Sequence, residues 1–302
     1  MNAIRGALIL LALVVCAARD AAAASPAAHR FGGLTVFVDD GDAFPGGIVT
    51  VRLASRRPLR GIVYGILDGR RCPAFLAREG MRVLVPVPVT FSPGRTTLGV
   101  EIRSGGGRRR YAVPVTIAPR VYPPREIVLP EDKRATAAAS PTGVRDGRLL
   151  LEHLRTVSPR QQWRAPFRPP VDVPPADTFG APQTWVGAVA VESTMDSVHG
   201  EYHRGLDYEV PVGTPVKAPA AGTVLFSGPL ALSGRTVVVD HGQGLLSVFA
   251  HLAEASVRQG EEIDAGRMLG TSGDSGVAAA PHLHWGVYLH GVAIDPRVTE
   301  RF

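Results

Sequence analysis

Short apolar runs broken by Gly, Pro and Asp fill residues 30–118. They are Leu34–Val38, Ile48–Leu53, Gly61–Leu67, Met81–Val89, Thr97–Ile102 and Tyr111–Ile117. Several alternate apolar and polar positions, the period-2 signature of a strand with one face buried. Six or so short strands over roughly 90 residues predict a small antiparallel β-sandwich of immunoglobulin-like type. Nothing in this stretch gathers titratable side chains at catalytic or ligand spacing, so a supporting or binding module is expected.

The pattern changes over residues 119–181. Val121-Tyr122-Pro123-Pro124-Arg125 breaks the strand rhythm. Ala135–Ala139 and Asp146–Arg155 predict helix, the second with Leu149, Leu150, Leu151, His153 and Leu154 on a partly apolar face. Pro166, Pro169, Pro170, Pro174, Pro175 and Pro182 then enforce extended chain. A partly helical, proline-rich linker is therefore expected. From about residue 182 to 298, Val186–Glu192, Gly205–Glu209, Gly222–Ser227, Thr236–Val239, Leu245–Ala250 and His284–His290 predict strands punctuated by glycine. This second unit reads as compact and all-β, so the chain as a whole is expected to be mostly β.

Residues 1–24 stand apart. Arg5, an apolar run from Gly6 to Ala17, and Ala22-Ala23-Ala24 before Ser25 describe a secretory signal peptide cut after Ala24. The run is about 12 residues, short of the ~20 that span a bilayer. A retained anchor and a lipoprotein at Cys16 are the alternatives, and bulky Val15 disfavours the second. Export to the periplasm, the cell envelope or the outside is expected, with no stable transmembrane anchor after cleavage.

Charge and cysteine narrow the chemistry. The 302 residues carry 33 Lys and Arg against 27 Asp and Glu, a formal net charge of +6. The excess is nearly all arginine, with Arg108-Arg109-Arg110 following Gly105-Gly106-Gly107 as a charged hairpin tip. Basic residues interleaved with aromatics are missing, which argues against nucleic acid as a partner. An anionic envelope polymer suits such a surface. Two cysteines build neither a disulfide framework nor a four-thiolate metal site. With Cys16 removed, Cys72 is left alone and is expected to be a buried small hydrophobe, which excludes cysteine protease chemistry.

Seven of the nine histidines lie at or beyond His199. In a strand, residues two apart share a face, so His282 and His284 look into one site. His203 and Asp207 lie four apart where Gly205 disfavours helix, and a turn entering a strand aligns them. His251 closes the strand Leu245–Ala250. Neutral imidazole and carboxylate suit Zn²⁺, with three protein ligands plus water as the catalytic arrangement and four as the structural one. His199, His203, Asp207, His251, His282 and His284 are all candidates, and spacing alone leaves the choice among them open.

The order of motifs resembles the LytM/lysostaphin-type M23 metallopeptidases. It runs through His203-Arg204-Gly205-Leu206-Asp207, Pro211-Val212-Gly213-Thr214-Pro215, Asp240-His241-Gly242, Phe249-Ala250-His251-Leu252, Gly270-Thr271-Ser272-Gly273 and Pro281-His282-Leu283-His284-Trp285. The resemblance covers roughly residues 185–298 and implies the family's all-β, duplicated-hybrid-motif-like fold. It also implies Zn²⁺ held by His203, Asp207 and His284. His282 is then the general base on the metal-activated water, and His251 orients that water and stabilises the tetrahedral intermediate. The implied activity is hydrolysis of peptide crosslinks in bacterial peptidoglycan. A non-catalytic wall-binding or hydrolase-activating protein and a zinc peptidase on a non-wall peptide are the alternatives. His153 is read as a helix-face residue, His199 as a loop residue, His241 as a turn residue, His290 as a hairpin residue and Trp285 as core. Phe249 stands where the family has tyrosine, and Ala280 stands where it has the glycine of Gly-Pro-His-Leu-His. Ser193–Gly200 replaces the usual Phe-Gly-x-Arg stretch, so the substrate groove is expected to differ from the family's.

Overall fold

The computed structural model describes residues 26–77, 80–137, 141–164, 166–176, 179–186 and 202–302. The expected signal peptide, Cys16 and His199 lie outside these residues. The N-terminal strands are β1 (Ala27–Phe31), β2 (Leu34–Asp39), β3 (Ile48–Ser55), β4 (Ile62–Leu67), β5 (Arg70–Pro73), β6 (Phe75–Ala77), β7 (Gly80–Pro86), β8 (Gly94–Ser104) and β9 (Gly107–Ile117). They form two antiparallel sheets, ordered β1-β2-β3-β7-β6 and β5-β4-β8-β9. The chain leaves the first sheet after β3, builds β4 and β5 in the second, and returns so that β7 pairs with β3. Val36, Val51 and Val83 of one sheet share a buried core with Val63, Val100 and Val113 of the other. Cys72 lies in that core, where burial pushes its thiol up to about 12 and leaves it unreactive.

The three strands the pattern did not announce are β1, β5 and β6. They are short and lie at sheet edges, where one ladder partner and little apolar burial suffice. Their position is set by pairing with β2, β4 and β7, which alternation within their own sequence does not encode.

Beyond β9 come β10 (Arg125–Val128), α1 (Glu131–Ala137) and α2 (Pro141–Leu154). Helix α1 opens on Glu131 and Asp132, acidic side chains that favour a helix N-terminus. Helix α2 starts at Pro141, earlier than the expected Asp146, because proline is pre-set for the first helical turn. Leu150 and Leu154 bury against Leu230, Val238, Leu246 and Tyr288. The proline-rich stretch that follows carries neither helix nor strand among its described residues, and it is built into the core. Trp163, Phe167, Val171 and Phe179 are buried in the largest apolar cluster, alongside Phe44, Ile48 and Leu84 of the sandwich. Arg82 strengthens the junction by donating to Gln161 and Gln243. Strand β10 was read as broken pattern; it pairs in parallel with β11 (Gln183–Val186), a partner too distant in sequence for local periodicity to show.

The remaining strands are β12 (Leu206–Tyr208), β13 (Pro215–Lys217), β14 (Gly222–Leu230), β15 (Gly234–Gly242), β16 (Leu245–Ala255), β17 (Glu262–Ile263), β18 (Met268–Ser272), β19 (Leu283–Leu289) and β20 (Val292–Ile294). Six of them run in the order β12-β19-β16-β15-β14-β17; β18 joins β16 to β13, and β20 flanks β19. Strands β16 and β19 are central, with every residue of β19 and Leu245–Leu252 of β16 buried. Both faces are covered, so these strands read as near-continuous apolar runs. Pairing of β19 with β12 on one side and β16 on the other sets Asp207, His284 and Ala250 in one row across three strands. That row places the site.

Candidate metal centre

His203 precedes β12, Asp207 lies within it, and His284 lies opposite on β19. The backbone on both sides of His203 is tied down: its N–H donates to Ala181 O, and its carbonyl accepts from Gly180. Cross-strand register then brings three donor atoms together. His203 Nε2 and His284 Nδ1 stand 3.0 Å apart, and each lies 3.1 Å from Asp207 Oδ1. All three side chains are buried.

Burial alone would raise the Asp207 pKa, but His203 and His284 beside it hold the carboxyl well below its usual range. Burial pushes His284 down to about 4, against the opposing hydrogen bond that it donates to Asp207. At neutral pH this ring is uncharged, the state in which imidazole ligates metal. A tetrahedral ion with bonds of about 2.0–2.1 Å would separate its donors by roughly 3.3 Å, close to the near-equilateral triangle seen here. His284 Nε2 is buried without a hydrogen-bond partner among the described residues. Gly205 leaves room for that ring, since a Cβ there would come within 2.7 Å of His284 Nε2. The donor set of two imidazoles and one carboxylate thus fits a divalent cation.

Two further histidines face the triangle. His251 sits in β16 at φ +60°, a left-handed conformation uncommon outside glycine, where the register with β15 shifts between Phe249 and Leu252, an irregularity of the kind that re-aims a side chain. Its Nδ1–H donates to Ser275 O at 2.8 Å, which makes Nε2 the proton-accepting nitrogen. His282 uses its Nδ1 in the same way, donating to Ala280 O at 2.8 Å, and its Nε2 lies 3.7 Å from Asp207 Oδ1. The two rings are 4.7 Å apart, and His251 is 6.3 Å from the ring of His284.

The other singled-out residues fall elsewhere. His241 is not in a turn: it is buried in β15, with Nδ1 on Ala221 O and Nε2 on Ser247 Oγ. The Asp-His-Gly motif suggested a turn, but the strand continues to Gly242 because β16 pairs along it. Trp285 is fully buried core, its Nε1 donating to Ser247 Oγ, and Phe249 is core as well. His153 lies on α2 against Phe226, and His290 occupies the β19–β20 turn.

One participant had no local signal. Arg125 of β10 reaches the cluster and donates from Nη1 to Asp207 Oδ2 at 2.6 Å. With Ile127, Gln183 and Trp185 it helps line a cavity of about 40 Å³ over the triangle. That is room for about one water molecule.

Residues 201–296 match the model of peptidase family M23. An uncharacterised metalloprotease of Haemophilus influenzae is 37% identical over 99 residues, which are 32% of this chain and 21% of that protein. The peptidoglycan DD-endopeptidase ShyC of Vibrio cholerae is 36% identical over 98 residues, covering 32% of this chain and 23% of the relative. The chain therefore spans about a fifth of the length of these curated relatives. A solved Pseudomonas aeruginosa structure named for peptidase M23 superposes with a TM-score of 0.62 at 28% identity, covering 86% of this chain and 95% of that one. The segment from residue 201 to 296 is a domain of peptidase family M23, carried in this chain behind a two-sheet β-sandwich.

Proposed function

We propose that the chain is a zinc endopeptidase that hydrolyses peptide crosslinks of bacterial peptidoglycan. The observation that carries this reading is the buried triangle of His203 Nε2, Asp207 Oδ1 and His284 Nδ1, with His251 and His282 facing it. His203, Asp207 and His284 would hold zinc, which would supply Lewis acidity to activate water at neutral pH and polarise the scissile carbonyl.

The chain's own residues do the rest. Asp207 brings the negative charge, and its depressed pKa keeps it ionised throughout the neutral range. His282 is held by Ala280 O so that Nε2 accepts a proton beside Asp207. His251, fixed by Ser275 O, holds Nε2 within reach of the same volume, to steady the attacking oxygen and share proton delivery to the leaving amine. No serine or cysteine nucleophile enters; Cys72 lies in the sandwich core.

The substrate assignment is supported by relatives named peptidoglycan DD-endopeptidases. We assign residues 1–24 as an export signal, 30–118 as an accessory sandwich, 119–181 as a linker and 182–298 as the peptidase unit, acting in the cell envelope. Among the described residues no helix is long and apolar enough to cross a membrane. The test is mass spectrometry of muropeptides released from purified cell wall, with and without chelator. Crosslinked species should fall and their monomers rise only when metal is present. Wall binding without any such change would refute the peptidase reading.

A further inference from the structure

The outer face of the sheet β5-β4-β8-β9 carries a charge cluster that the metal centre does not use. Glu101 of β8 stands between Tyr64 on β4 and Arg110 on β9, and its side chain is fully covered. The cover is guanidinium: Arg103 Nε lies at 2.5 Å, Arg110 Nε at 2.6 Å, Arg71 Nε at 3.6 Å and Arg108 Nε at 4.0 Å. Arg103 also stacks over the Tyr64 ring at 5.7 Å. Hydrogen bonds from Arg110 and Arg103 hold the Glu101 carboxyl down at about 2 against its burial, so the cluster's charge is constant at physiological pH.

One carboxylate is satisfied by one or two guanidinium groups; here four converge on it. Each approaches through Nε, which leaves the paired terminal nitrogens of the fork outside these contacts, and each side chain is about half exposed. Three positive charges are left over on one rigid face, half of the chain's formal excess of +6. Exposed arginine forks match carboxylates two bonds at a time. Among the described residues of this sheet, Ile62 is the one exposed large apolar side chain, too little to anchor a lipid bilayer.

We propose that this face docks the carboxylate-bearing stem peptides of the wall polymer, away from the metal centre. The choice of polymer rests on the peptidase reading. A second contact on the same polymer raises the effective concentration of scissile crosslinks at the site without improving the site itself.

The test is co-sedimentation of the full chain with purified peptidoglycan sacculi, run with chelator present so that cleavage does not enter. Capture should saturate and weaken as salt rises from ~50 to ~300 mM. Replacing Arg71→Gln, Arg108→Gln and Arg110→Gln together leaves Arg103 on Glu101 and should weaken capture by about tenfold or more. Sacculi whose carboxylates have been amidated should lose the unaltered chain to a similar extent, an arm that does not depend on how the variant folds. Equal capture of variant and unaltered chain, undiminished capture by amidated sacculi, or tighter capture by phosphatidylglycerol vesicles would each overturn the proposal. Capture that behaves as expected beside absent hydrolysis would strike the peptidase reading alone.

Discussion

Arg125 Nη1 lies 2.6 Å from Asp207 Oδ2, on the side of the carboxylate turned away from the triangle formed by Oδ1 with His203 and His284. The carboxylate that completes the triangle therefore also ties down β10, which pairs with β11 beside it. Ile127 of β10 and Gln183 and Trp185 of β11 line the small cavity over the triangle, so these strands stand beside the approach to the three donors. The ion pair is partly exposed on the arginine side, so about 1 kcal/mol is a fair discounted value. Arg125→Ala should therefore raise turnover of a soluble crosslinked muropeptide by roughly fivefold, measured by release of monomer at fixed zinc. A fall in rate with weaker zinc binding would show instead that Arg125 serves to orient Asp207.

Asp207 is the one anionic donor of the three. Asp207→Ala should leave no stoichiometric zinc after dialysis and no hydrolysis, while near-ultraviolet circular dichroism keeps its native form. Retained metal in this variant would remove Asp207 from the ligand set.

Gly205 makes a different demand, one of space. A Cβ at this position would meet Trp285 O at 2.6 Å and the His284 ring at 2.7 Å, both in the central strand β19. The carbonyl cannot give way without disturbing the β12–β19 ladder, so the imidazole must move. Gly205→Ala is expected to weaken zinc binding by about 10–100-fold, read by competition with a chromogenic chelator. It should also cost about 1–3 kcal/mol in urea unfolding.

These residues were unequally visible in the chain itself. His203, Asp207, His282 and His284 sit in short motifs whose spacing converts directly into geometry, through a strand face or a turn entering a strand. His251 was visible because it ends an apolar run, but its left-handed backbone was not. The central strands β16 and β19 announce themselves because they are buried on both faces. Arg125 was invisible, since its meaning depends on Asp207, 82 positions away, and on a parallel pairing with β11. Trp163 and Phe167 were hidden for a related reason. Proline-rich chain without helix or strand has no side-chain period of its own, so the burial of these rings depends on the sheet they cross.

The two accessory histidines separate binding from rate. Their contacts are to backbone carbonyls of Ser275 and Ala280, and neither completes the three-atom triangle. His251→Ala and His282→Ala should each bind zinc at one equivalent yet lose about 10²–10⁴-fold in kcat. Loss of metal in either variant would move that residue into the ligand set. A rise in KM with kcat unchanged would make it a substrate contact.

His241 gives the fold its own pH dependence, apart from the metal. It is fully buried, with Nδ1 on Ala221 O, Nε2 on Ser247 Oγ and its ring 4.7 Å from Phe167. Burial pushes its pKa down to about 4, against the bond to Ala221. The unfolded chain takes up this proton near the ordinary value of about 6.5, before the folded chain does. Stability from this group is therefore complete above about pH 6.5 and is lost as pH falls toward about 4, by up to roughly 3 kcal/mol. His290, also lowered to about 4 by burial, adds a slope of the same sign. Urea unfolding between pH 7.5 and 4 should accordingly show a steep loss of stability in the unaltered chain. His241→Asn should be less stable at pH 7.5 and show a shallower slope on acidification, since one fewer buried imidazole remains to be charged. An unchanged slope would mean that His241 is already protonated in the fold, and Ser247 would then have to accept its Nε2–H rather than donate to it.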